Sequence, residues 1–115
     1  MNGSDTAIKV LNKIKDLLGN NSVCVGVQTL VIDGTVKQLT VPANANYALI
    51  QLESTATGSA IRFWSDGITV PTTTDGMFRA SNEAFDVLSA QTASQIKVTQ
   101  AQAGTHKLFI EYYKS

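Results

Sequence analysis

Ala60-Ile61-Arg62-Phe63-Trp64-Ser65-Asp66-Gly67-Ile68-Thr69-Val70-Pro71-Thr72-Thr73-Thr74-Asp75-Gly76-Met77 is the stretch on which the reading of this chain turns. It begins as a strand, because Ile61 and Phe63 fall on one face and Arg62 and Trp64 on the other. Ser65-Asp66-Gly67 then breaks the strand, with Gly67 free to take the positive φ of a tight turn. Pro71 forces Val70 into an extended conformation, and Asp75-Gly76 closes the excursion before the next apolar run. One strand, one long loop with fixed turns and the only Trp at its root point to a β-rich domain.

Outward from that stretch, the period of two persists. Upstream, Val23, Val25, Val27, Thr29 and Val31 share one strand face, with Cys24, Leu30 and Ile32 on the other. Apolar residues on both faces predict a strand covered on both sides. Asp33-Gly34 predicts a two-residue hairpin returning through Val36, Leu39 and Val41 to Pro42. After a loop at Ala43–Asn46, Tyr47 to Ser54 forms a strand with Ala48, Ile50 and Leu52 on one side, followed by a turn from Thr55 to Ser59. Downstream, Met77 to Ala80 is a short strand, Ser81-Asn82-Glu83 a turn, and Ala84 to Leu88 a strand with Phe85 and Val87 inward. Ser89 to Ser94 reads as a polar connector, Ile96 and Val98 alternate on the next strand, and Ala101 to Gly104 turns. Leu108, Ile110 and Tyr112 alternate on the last strand. About eight short strands at such spacing predict an all-β, antiparallel, jelly-roll-like β-sandwich.

The period is 3.6 only at the start. Residues 5 to 18 predict one amphipathic helix, capped by Ser4 or Asp5 and ended by Gly19-Asn20-Asn21. Ala7, Leu11, Ile14 and Leu18 form a stripe of coiled-coil type, which Ile8, Val10 and Leu17 widen. Such a short helix must dock on something: its own sandwich, copies of itself in an oligomer seam such as a trimer, or a groove on a larger partner. The expected division is therefore 1–21 as an oligomerising or anchoring segment and 22–115 as the sandwich domain.

The chain has 115 residues, enough for one core. Nine Lys and Arg balance nine Asp and Glu, and only 16% of residues are charged, below the usual quarter. A neutral polar surface repels other copies weakly and suits life in an assembly. It argues against nucleic acid, which needs concentrated Lys and Arg. Lys9, Lys13 and Lys15 are interleaved with Asp5 and Asp16 and read as a solvated helix face. No stretch suits a membrane span, and the polar N-terminus does not fit a signal peptide, so the expected setting is the inside of a cell until release. Cys24 stands alone, excluding an intrachain disulfide, and Val23 and Val25 beside it predict a buried thiol.

Catalytic chemistry has little to stand on. His106 is the single histidine, expected as an exposed turn residue, and no nucleophile elbow, phosphate loop or dinucleotide fingerprint occurs. Glu53, Asp66, Asp75, Glu83, Asp86 and Glu111 are scattered singly, with nothing to choose a glycosidase pair among them. Turn chemistry accounts for Asp66 and Asp75, each followed by Gly; a calcium site shared by the two is the alternative. No cofactor is expected. Arg62 and Trp64 are the candidate binding pair, with Asp66 and Pro71 in the loop behind them: an exposed Trp beside an Arg stacks on a sugar or anchors an interface. The competing reading packs Trp64 under its own loop, against Pro71.

Several segments together resemble a group of small structural proteins of tailed bacteriophages and prophages. They are Val41-Pro42-Ala43, Tyr47-Ala48-Leu49-Ile50-Gln51, Ile61-Arg62-Phe63-Trp64-Ser65-Asp66-Gly67, Pro71-Thr72, Gly76-Met77 and Leu108-Phe109-Ile110-Glu111-Tyr112-Tyr113-Lys114. In this chain Val70 lengthens the spacing to Pro71, and Phe78-Arg79 replaces small residues or Pro. The resemblance implies a non-enzymatic virion component, assembled in the host cytoplasm. The expectation is a capsid-decoration or head-fibre module that binds itself and other virion proteins such as the major capsid protein. A tail-associated receptor- or carbohydrate-binding module is the alternative, and a small hydrolase subunit a third.

Overall fold

β-branched and aromatic residues alternating with polar ones give eight antiparallel strands in the computed structural model, which describes residues 22–80 and 86–114. They are β1 (Val23–Ile32), β2 (Lys37–Gln38), β3 (Tyr47–Ser54), β4 (Ser59–Trp64), β5 (Met77–Ala80), β6 (Asp86–Ser89), β7 (Lys97–Gln100) and β8 (His106–Lys114). One five-residue helix, α1 (Ala90–Ser94), lies between β6 and β7. The expected helix over residues 5 to 18, with Leu11, Ile14 and Leu18, lies outside the described residues, as do Phe85 and the turn at Ser81-Asn82-Glu83. Among the described residues no helix is long and apolar enough to cross a membrane.

The strands form two sheets, of order β1-β8-β3-β6 and β2-β7-β4-β5. The core between them takes Ala48, Ile50 and Leu52 from β3, Ile61 from β4, Val98 from β7 and Leu108, Ile110 and Tyr112 from β8. Burial pushes the Tyr112 phenol up to about 12. It therefore keeps its proton and donates to Gln28 Oε1 at 2.7 Å.

Asp33-Gly34 does not make a hairpin. β1 pairs with β8 and β2 pairs with β7, so the chain crosses between sheets at this corner. Gly34 takes no positive φ, whereas the hairpin turn requires one. Asp33 instead accepts the Thr35 amide on Oδ1 at 2.8 Å, and its carbonyl accepts the Gln100 amide and the Thr99 hydroxyl. The return strand is correspondingly short, reduced to Lys37–Gln38.

β1 departs from expectation through one irregularity. A bulge between Cys24 and Gly26 shifts the faces by one residue. Val25 turns inward onto the core while Val27, Thr29 and Val31 face outward. Cys24 shares the outward face with its partner Tyr113 and is exposed, not buried. Among the described residues nothing covers the outward face of the strand at Val27, which is 74% exposed.

β6 also reverses an expected face. Leu88 pairs with Ala48 and packs on the main core, while Val87 pairs with Leu49 on the outward face beside Tyr47 and Tyr113. The expected connector at Ser89–Ser94 is α1, because Ser89 caps it by accepting the Thr92 amide at 3.2 Å.

Candidate functional site

The loop from Ser65 to Gly76 is fixed at several points along its length. At its start, Asp66 accepts the Thr69 hydroxyl at 2.5 Å and the Ile68 and Thr69 amides at 3.0 and 2.8 Å. These bonds, the Thr69 hydroxyl first, hold its carboxyl down at about 2. Gly67 has φ +75° and its amide donates to Gln95 O at 3.0 Å, tying the turn to the end of α1. Midway, Pro71 is buried. The Thr72 amide then donates to Asp75 O at 2.9 Å, and at the far end Arg62 Nη1 donates to the Gly76 carbonyl at 2.9 Å.

Gly67→Val forces a β-branched side chain into the left-handed region. It is expected to lower unfolding free energy by about 1–3 kcal/mol, read from urea melts. A Cβ there meets nothing closer than Gln95 Cγ at 3.5 Å, so backbone strain, not collision, is the cause. Gly67→Ala should show most of the same loss.

Arg62 and Trp64 do face away from the core, but both are half-buried. The Arg62 guanidinium is tethered to Gly76 and lies 5.3 Å from the centroid of the Phe78 ring. The Trp64 indole N–H is out of solvent and has no acceptor among the described residues. Both side chains therefore sit within the structure around the loop and do not project as a free platform. Solvent instead meets the apolar residues around them: Ile68 at 80% exposure, with Val70, Met77 and Phe78 also exposed. Asp66 and Pro71 thus lie within the fixed loop, Ile68 and Val70 are its exposed apolar residues, and Met77 and Phe78 are exposed on opposite faces of β5.

Arg79 on β5 bridges to Asp86 on β6, Nε to Oδ2 at 2.9 Å, and lies 5.5 Å from the Phe63 ring centroid. This pair joins the margins of the two sheets beside an apolar cavity of about 100 Å³ lined by Leu39, Ile50, Phe63 and Leu88. Among the described residues no three His, Cys, Asp or Glu lie together as metal ligands do.

His106 is fully buried, correcting its expected place in an exposed turn. It opens β8 in phase with Leu108, Ile110 and Tyr112, and extending that alternation back by one step finds it. Its Nδ1 lies 2.6 Å from Ser54 Oγ and its Nε2 2.8 Å from Gln102 O. The ring joins the end of β3 to the turn before β8. Both ring nitrogens are thus engaged, and the buried imidazole ties Ser54 and the Gln102 carbonyl to the start of β8.

No protein-family model matches the chain, and no curated protein matches it. One solved structure is similar, that of a protein from work on Bacillus endospore appendages that form a novel family of disulfide-linked pili. It has 19% identity and a TM-score of 0.42, over 83% of this chain and 87% of that one. A likeness of that extent carries no argument about function.

Proposed function

We propose that this chain is a non-enzymatic structural protein of a tailed-phage virion, a capsid-decoration or head-fibre module that acts as a homo-oligomer. The observation that carries the reading is the division of its exposed apolar side chains into two surfaces on opposite sheets. Val27, Val31 and Phe109 face outward on the β1-β8-β3-β6 sheet, while on the other sheet Ile68 and Val70 are exposed on the β4–β5 loop and Phe78 on the outward face of β5. Separate apolar patches on a small domain mark contact sites, and two of them let a subunit hold its own copies and a different partner together. The sequence resemblance and the balanced charge support the same reading.

The strand order supports a finer description of the fold as a jelly roll: two four-stranded sheets in which every consecutive pair from β1 to β4 changes sheet. In this proposal the loop surface meets the shell, or another virion protein, and Trp64, Arg62 and Pro71 hold it in shape. Sugar stacking on Arg62 and Trp64 would require both to leave the positions that support the loop.

The test is co-sedimentation of the full chain with empty shells of the phage whose genome encodes it. Ile68→Asp with Val70→Asp should weaken binding about thirtyfold or more, as expected for loss of a central apolar contact. Melting should be unchanged, since both side chains are already exposed. Undiminished binding by the double variant would remove the loop from the contact, and failure of the wild-type chain to bind any virion component would overturn the function.

A further inference from the structure

Four strands form the margins of the two sheets, and three of them are protected. β2, β5 and β6 are two to four residues long, and each carries a charge: Lys37, Arg79 and Asp86. Short length and charge are the usual ways to stop a sheet edge pairing with another chain. The fourth, β1, has neither. It runs ten residues, Val23–Ile32, with no Lys, Arg, Asp, Glu or Pro. Its backbone pairs with β8 on one side, and among the described residues no backbone hydrogen bond reaches it from the other.

We infer that β1 is the self-assembly edge of this protein, pairing antiparallel with β1 of a second copy about a twofold axis at Thr29. The inference rests on the homo-oligomer reading above and names the surface that carries it. Beyond its bulge the strand is self-complementary. The regular segment Gly26–Ile32 is seven residues long and centred on Thr29. Antiparallel pairing about that centre sets Val27 opposite Val31 of the partner subunit, and Thr29 opposite Thr29 of the partner subunit. Both pairs lie on the outward face, where apolar β-branched and Thr–Thr cross-strand pairs are favourable.

On the inward face Gln28 meets Leu30 of the partner subunit, and no position brings like charges together. The two β1-β8-β3-β6 sheets become one continuous sheet of eight strands. The exposed Val27 and Val31, at 74% and 53% exposure, become two cross-strand valine pairs flanking the central threonine pair. A closed twofold contact uses the same edge on both subunits and so ends with the pair. It leaves each β4–β5 loop surface, on the other sheet, free for a different partner. The bulge at Cys24 and Gly26 bends the end of the strand and limits pairing to the regular segment.

The experiment uses the full chain. Sedimentation of the wild type at tens of micromolar should give a dimer or a multiple of it. Thr29→Lys places two like charges opposite each other at the centre, and should weaken association roughly tenfold or more with unchanged melting. In a Cys24→Ser background, Thr29→Cys should be joined into dimers by a short bis-maleimide, while Ile68→Cys, on the loop, should not. A wild-type chain that sediments as a monomer would overturn both this inference and the homo-oligomer reading. Self-association that survives Thr29→Lys, with no linkage through Thr29→Cys, would overturn the edge pairing alone and leave the oligomer standing. If Thr29→Lys fails to fold, the linkage experiment decides.

Discussion

Tyr112→Ala should lower unfolding free energy by about 3–5 kcal/mol, as truncation of a large buried aromatic does. For a domain of this size that corresponds to a fall of roughly 10–20 °C in melting temperature. Tyr112 is the largest fully buried side chain of the described core, lying between the sheets at 1% exposure. Its ring is buried in the core cluster, so truncation removes packed volume and leaves a cavity. Its hydroxyl donates to Gln28 Oε1, which also accepts the Thr40 amide at 3.1 Å. That amide joins β1 to the segment after β2, so removing the hydroxyl loosens a link between the two sheets. Tyr112→Phe keeps the ring and separates the terms, with an expected loss of about 1 kcal/mol. Urea denaturation of both variants checks this. A loss below about 1.5 kcal/mol for Tyr112→Ala would mean the sheets do not close around this residue.

His106→Leu is expected to lose about 2–4 kcal/mol. Leucine fills much of the volume, so the cavity term is small and the polar term dominates. The Gln102 carbonyl and the Ser54 hydroxyl each lose a buried partner, at about 1–3 kcal/mol apiece with partial recovery through water. The site is also tight, since a Cβ at Gly104 would lie 3.1 Å from the ring. Were His106 the exposed turn residue that its local sequence suggests, the substitution would be near neutral, so one urea melt separates the two cases.

Alternation alone found β3, from Tyr47 to Ser54, and the inward row Leu108, Ile110 and Tyr112 of β8. These strands are paired on both sides, so local pattern and tertiary environment agree. The reading failed where one residue changes the phase or where a distant strand decides. The bulge at Cys24 and Gly26 moves Val25 inward and Cys24 outward, and no local residue type announces it. Asp33-Gly34 looks like a hairpin because its chemistry is turn chemistry; which sheet receives the chain is settled by Gln100 and Thr99, far along the sequence.

The site was half legible. The positive φ at Gly67 and Gly76 follows from residue type. Burial of Arg62 and Trp64 depends instead on how the loop folds back, through the Arg62 bond to the Gly76 carbonyl. The sequence pattern could not identify β1 as an edge, since only the strand order supplies its missing neighbour.

Whether the chain is a built-in part of a virion, as proposed, is decided by quantitative mass spectrometry of purified tailed-phage particles released from cells that carry its gene. The protein is expected in the particles at a fixed ratio to the major structural proteins, retained through density-gradient purification. Particles that lack it, with the protein left soluble in the lysate, would rule out the virion role.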